Sequence, residues 1–173
     1  MHSFILVALL AGSALLASAA VIPPFSYSDY AGSNSGIHFT LDGEPDQRLT
    51  SIRIWDNNGA YINGIQFSFG KIWGDRIGYP NGRILEIDLD TDNNEAIIQI
   101  SGKYSRYLNW LVFVTNKGRF FYAGTPSGIS FNMYPGYPGM ELRAISGTLH
   151  GALTGIAVHW AMPPPPSSDS NEH

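Results

Sequence analysis

Polar and apolar side chains alternate through Ser51-Ile52-Arg53-Ile54-Trp55, stop at Asp56-Asn57-Asn58-Gly59, and alternate again from Tyr61 to Gly70. A period of two on either side of a turn cluster predicts a β-hairpin. Pro80-Asn81-Gly82 punctuates the next pair, and Arg83 to Asp90 sets Leu85, Ile87 and Leu89 on one face with carboxylates on the other. The runs Glu95 to Gly102 and Tyr107 to Thr115 follow, and Asn116-Lys117-Gly118 suits a three-residue hairpin loop before Arg119-Phe120-Phe121-Tyr122. Two further strands are expected around Met140 to Gly147 and Leu153 to Trp160. Beyond the N-terminus, apolar residues nowhere hold a helical spacing for more than two turns. Evenly spaced short strands predict an all-β sandwich, barrel or prism.

The two ends of the chain read differently from its body. Phe4 to Leu16 is apolar and is followed by Ala17-Ser18-Ala19, the small-residue pattern of a cleavable signal peptide, so residues 1–19 are expected to be removed on export. The run is broken by Gly12 and Ser13 and falls short of the roughly 20 apolar residues of a spanning helix. No later segment is long and apolar enough to enter a bilayer. One domain is expected over residues 20–161. Residues 162–173, which include Pro163-Pro164-Pro165-Pro166 and a polar end, cannot bury a core and are expected to be a disordered tail.

Composition narrows the function. Cysteine is absent, so stability rests on apolar burial and sheet hydrogen bonds. A net charge of −4 with 14% charged residues offers no field for nucleic-acid phosphates, and nucleic acid is not an expected partner. There is no cysteine nucleophile, Gly-x-Ser-x-Gly elbow, Walker loop or His-Glu-x-x-His, so no catalytic residue is assigned. Asp88-x-Asp90-x-Asp92 resembles the opening of a calcium loop, but Asn93 stands where glycine is needed and Gln99 where the bidentate glutamate belongs. These residues read instead as a solvated strand face and the turn after it, and neither metal nor cofactor is expected. His159, between Val158 and Trp160, reads as a structural histidine.

Ser101-Gly102-Lys103-Tyr104, then Leu111-Val112-Phe113-Val114-Thr115 and Lys117-Gly118-Arg119, resemble the zymogen granule membrane protein 16 branch of the jacalin-related lectins. Three further stretches agree in order: Phe69 to Asp75, Ser127 to Asn132, and Leu142 to Gly147 with Ile156-Ala157-Val158-His159-Trp160. The resemblance covers about Tyr27 to Trp160. It implies a β-prism of three four-stranded antiparallel sheets about a pseudo-threefold axis, with a metal-free sugar site between three loops at one end.

Carried onto this chain, the glycine-rich loop falls on Gly32 to Gly36, placing Ser35 and Gly36 at the sugar. The recognition loop falls on Lys103, Tyr104 and Ser105. The binding loop follows Gly147 as Thr148 to Thr154, which puts His150, Gly151 and Ala152 in the site, and the family's ligand aspartate falls on Thr154. A hydroxyl replaces a carboxylate that would accept hydrogen bonds from adjacent sugar hydroxyls. The expected function is therefore an exported lectin for glycans or glycoproteins with altered specificity, Tyr104, His150 and Thr154 serving in place of the carboxylate. The alternative is a sugar-independent interaction protein of secretory granules or mucus on the same fold. Glycosaminoglycans are a weaker expectation, because Lys71, Arg76, Lys103, Arg106, Lys117 and Arg119 form no dense run.

Overall fold

The computed structural model describes residues 21–165. The signal-peptide reading of residues 1–19, and the tail reading from residue 166 on, lie outside them. The body is built from strands alone, apart from one 3-10 turn at Thr91–Asn93. They are β1 (Phe25–Tyr27), β2 (Ala31–Gly32), β3 (Ile37–Leu41), β4 (Leu49–Asp56), β5 (Ile62–Phe69), β6 (Ile72–Gly78) and β7 (Arg83–Asp88). There follow β8 (Ile97–Tyr104), β9 (Leu108–Thr115), β10 (Phe120–Gly124), β11 (Ile129–Met133), β12 (Glu141–Leu149) and β13 (Leu153–Ala161).

Three antiparallel sheets result, ordered β1-β13-β12-β3, β6-β5-β4-β7 and β10-β9-β8-β11. The short β1 and β2 are two pieces of one edge strand. Phe25 pairs with Ala161 at one end of β13 and Gly32 with Gly155 nearer the other, while Ser28 bridges the gap through its N–H to Val158 O (2.9 Å). Each sheet thus has four positions, with a central hairpin flanked by two edge strands. In the first sheet the hairpin comes from the end of the chain and the edges from its beginning, so pairing of the two ends completes the prism.

The threefold repeat is written in glycines that the strand pattern alone does not expose. Gly32, Gly78 and Gly124 stand 46 residues apart, as do Gly36, Gly82 and Gly128, and all six have positive φ. A Cβ on the first set would lie 2.0–2.3 Å from the carbonyl oxygens of Thr154, Asn63 and Asn109. One on the second set would lie 1.9–2.2 Å from those of Leu149, Asp56 and Tyr104. Only glycine satisfies both the dihedral and the close approach. Each pair brackets a loop that lies directly on the central hairpin of its own sheet, and all three hairpins turn at this apical end.

Inward-facing side chains fill the axis: Ile52, Ile54, Ile65 and Phe67 from the second sheet, Ile100, Leu111 and Phe113 from the third, and Ile145, Ile156, Val158 and Trp160 from the first. Burying a side chain of this size contributes about 1.5–3 kcal/mol. The expected face of β7 is observed, with Ile87 fully buried and Asp88 exposed. Asp90 lies beyond the strand, where its side chain takes the N–H of Asn93 and caps the 3-10 turn. The Asn116–Gly118 loop closes as expected, with Gly118 at φ 77° and Thr115 N–H donating to Arg119 O (2.9 Å).

Candidate functional site

The loop Ser33–Gly36 is the only one of the three apical loops without proline. Its counterparts Tyr79-Pro80-Asn81 and Thr125-Pro126-Ser127 have a ring where Asn34 has an N–H. All three are tied at the start in the same way: the N–H groups of Ser33, Tyr79 and Thr125 donate to the carbonyls of Thr154, Asn63 and Asn109. All three are also tied at the far end. Thr154 Oγ1 donates to Ser35 O (2.9 Å), Asn63 Nδ2 to Asn81 O (2.8 Å) and Asn109 Nδ2 to Ser127 O (2.9 Å).

Thr154 therefore lies under the loop and is 3% exposed. Beneath it three hydroxyls meet: Tyr30 Oη to Thr148 Oγ1 is 2.6 Å and Thr148 Oγ1 to Thr154 Oγ1 is 2.8 Å. Each hydroxyl has one proton. A relay running Tyr30 to Thr148 to Thr154 to Ser35 O satisfies every one of them in a single direction. Thr148 and Tyr30 also approach Ser33 O, at 2.7 and 3.1 Å. Buried chains of this kind strengthen one another in a low-dielectric surround.

The hairpin beside this loop is tighter than the sequence indicates. β12 runs to Leu149 and β13 starts at Leu153, which leaves His150–Ala152 as the turn, closed by His150 N–H to Ala152 O (2.9 Å). His150 and Gly151 are exposed, and a Cβ on Gly36 would lie 3.1 Å from the His150 Cβ, so Ser35, Gly36, His150 and Gly151 form one surface. Ala152 is 1% exposed, and Gly147 lies inside the ladder opposite Phe39 and Ile156. The backbone N–H groups of Asn34, Ser35 and Gly151 have no acceptor among the described residues.

Lys103 and Tyr104 stand on β8 itself and only Ser105 is in the turn. Lys103 Nζ donates to Ser130 Oγ (2.7 Å), the half-buried Tyr104 ring packs 6.3 Å from that of Phe131, and Ser105 Oγ accepts from Asn109 (2.9 Å). Between the second and third sheets, Thr125 Oγ1 donates to Gly59 O. The 46-residue spacing makes Ser33 the counterpart of Thr125 and Ser105 that of Gly59, so by the threefold relation the Tyr104–Ser105 turn is expected beside the Ser33–Gly36 loop.

Several residues of this end are invisible to motif reading. Asp56, 2% exposed, accepts the N–H groups of Gly59 (2.8 Å) and Gly124 (3.1 Å) and pairs with Arg83 (2.7 Å), joining two sheets. Burial pushes its pKa up, but Arg83 and the two N–H groups outweigh this and hold the carboxyl below its usual range. The rings of Tyr61 and Tyr107, from two different hairpin turns, meet at 4.9 Å with a tilt of 33°. The 46-residue spacing of Gly-x-x-x-Gly is the sequence signal that finds these positions. His159 is remote from them: its Nε2 meets Ser146 Oγ (2.9 Å), Tyr27 packs edge-on at 5.0 Å, and burial holds its pKa below the usual value against the pull of Asp42. This fits the structural reading of that residue.

Comparison with known proteins bears on the family and the fold. The jacalin-like lectin domain matches residues 28–159. Zymogen granule membrane protein 16 of Homo sapiens is 42% identical over 140 residues, 80% of this chain and 82% of that protein. The crystal structure of a prostate-specific WGA16 glycoprotein lectin superposes with a TM-score of 0.70 at 28% identity, over 80% of this chain and 99% of that one. The artocarpin–mannotriose complex, at 18% identity and a TM-score of 0.68 over 82% of this chain and 100% of that one, shares the fold. The chain is a β-prism that belongs to the jacalin-like lectin domain family.

Proposed function

We propose that this protein is an exported lectin that binds glycans at the apical end without a metal, between Ser33–Gly36, His150–Ala152 and Tyr104–Ser105. The observation that carries the reading is the set of uncommitted backbone donors. Asn34, Ser35 and Gly151 present N–H groups on a glycine-bracketed surface, and proline removes one such donor from each of the other two loops. Sugar hydroxyls accept from fixed donors of this kind without further ordering of the protein. The ring of Tyr104 offers an apolar face at the edge of the same surface.

The chemistry of the pocket floor differs from a carboxylate-based site. Thr154, with its proton directed to Ser35 O, supports the loop and leaves sugar contact to backbone and to His150. Export is supported by the apolar N-terminus and by the kinship with a protein named for the zymogen granule. A glycan array on the purified protein tests the reading. Binding that depends on the Ser33–Gly36 loop is expected, and a folded protein that binds no glycan would replace it with the second reading, a sugar-independent interaction protein. That second reading is favoured by the internally satisfied, buried state of Thr154.

A further inference from the structure

The two ends of the prism carry opposite charge. At the apical end, comprising the three hairpin turns and the three glycine-bracketed loops, the one carboxylate is Asp56, which is buried against Arg83. At the opposite end Asp42, Glu44, Asp46, Asp88, Asp90 and Asp92 are all exposed. The net charge of −4 thus conceals an apical surface made cationic by Lys103 and Arg106, the charge of Arg83 being balanced by Asp56. Among these, Arg106 is exposed and has neither hydrogen bond nor ion pair among the described residues. Its guanidinium lies 5.3 Å over the ring of Tyr107, which is itself stacked on Tyr61. A guanidinium resting on an aromatic face keeps its N–H edge outward and pre-organised for a bidentate acceptor.

We propose that the apical site selects glycans ending in a carboxylate-bearing sugar, of the sialic or uronic acid type, with Arg106 taking the carboxylate and the loop donors of Ser33–Gly36 taking ring hydroxyls. The proposal rests on the carbohydrate-binding reading above. Two facts converge on it. The position of the family's ligand aspartate holds the neutral Thr154, so among the described residues no exposed carboxylate stands at this end to repel an anionic sugar. One unpaired cation stands in the turn that begins with Ser105. A sulfated polymer fits less well, because such a chain is held by cations in a row. Lys117 and Arg119 lie at the opposite end of the prism, while Lys71 and Arg76 belong to the β5–β6 edge of another sheet.

The test is titration calorimetry of the purified protein, wild type, Arg106→Ala and Arg106→Lys, against sialyllactose, a glucuronic-acid disaccharide, lactose and a heparin oligosaccharide at two salt concentrations. Wild type should bind an acidic glycan about tenfold or more tightly than its neutral parent, as a charge-assisted bidentate contact implies. The preference should be weaker at high salt. It should shrink to within about twofold in Arg106→Ala and be partly kept in Arg106→Lys, with melting temperatures unchanged because Arg106 is exposed. Equal binding of acidic and neutral glycans, or a preference indifferent to Arg106, overturns the proposal and leaves the lectin reading standing. Tightest binding to heparin, indifferent to Arg106, also overturns it. Failure of every glycan to bind removes the lectin reading as well.

Discussion

Thr154 Oγ1 donates across 2.9 Å to the carbonyl of Ser35, and Asn63 and Asn109 make the same contact to Asn81 and Ser127 in the other two sheets. Threonine at 154 thus performs with one hydroxyl what asparagine performs with an amide. Thr154→Val keeps the shape and removes the donor, leaving Ser35 O and Thr148 short of a partner. Urea unfolding should show a loss of about 1–2 kcal/mol, and calorimetry a several-fold loss of glycan affinity. Thr154→Asn should retain most of both.

Thr154→Asp is expected to behave differently from a simple restoration of the family's site. An ionised carboxylate has no proton for Ser35 O and would face that oxygen in a buried position. A cost of about 1–3 kcal/mol at neutral pH follows. Stability relative to wild type should recover in acid, once the new carboxyl is protonated and can donate. Thermal unfolding of the variant between pH 3 and 7 reads this directly. A variant as stable as wild type at pH 7 would show that the loop turns N–H groups toward residue 154.

How much of this could be read from the chain depended on whether a feature repeats locally or across the prism. Alternation along β4, β5, β8 and β9 is local, because successive side chains of a strand point to opposite faces of its sheet, and those strands fall where the pattern puts them. β1 and β2 are too short to alternate and exist through pairing with β13, 123 or more residues away, so no window on the sequence contains their cause. Ser35, Gly36, His150 and Gly151 lie on one exposed surface. Thr148 and Tyr30 went unseen because their part is to hydrogen-bond each other under the loop, a relation between positions 118 residues apart. The motif places Lys103 in a loop, but its extended backbone continues the ladder opposite Ser130.

Asp56 joins the second and third sheets, and its removal should be felt at the whole apical end. Asp56→Ala leaves the N–H groups of Gly59 and Gly124 and the guanidinium of Arg83 without their acceptor. Arg83 is largely exposed and regains water, so the two N–H groups dominate and a loss of about 2–4 kcal/mol in denaturant unfolding is expected.

Stability should fall on acidification in two stages. The pKa of His159 is lowered by burial, so the unfolded chain binds the proton more readily. Its contribution is present above the unfolded value of about 6.5 and is lost as pH falls below it. Asp56 and Glu95 also sit below their ordinary values. For Glu95, burial is outweighed by the N–H of Asp90, the hydroxyl of Thr115 and Arg119. Their contribution is present above about pH 4 and is lost as pH falls further. Melting temperature against pH should show both declines, the first absent in His159→Gln and the second reduced in Asp56→Ala. A flat profile between pH 7 and 3 would contradict the account.

Metal should be irrelevant to both fold and binding. Asp88 accepts from Ser51 Oγ (2.7 Å), Asp90 from Asn93 Nδ2 (2.7 Å), and the buried Glu95 from Asp90 N–H (2.8 Å) and Arg119 (2.7 Å). These carboxylates are committed to partners within the protein. A cation bound to the native state would raise its apparent stability, so the melting temperature should be the same with EDTA and with millimolar calcium. A clear drop on chelation would reassign this segment.

Glycan binding on the Ser33–Gly36 loop through its free backbone donors can be followed residue by residue in a nitrogen-15 amide NMR titration with the best ligand from a glycan array. The account predicts the largest shifts at the N–H groups of Asn34, Ser35 and Gly151, smaller ones at Tyr104 and Ser105, and none at Asn81 or Ser127 in the proline-containing loops. Saturable binding whose shifts fall elsewhere, or a folded protein whose amides respond to no glycan, would contradict it.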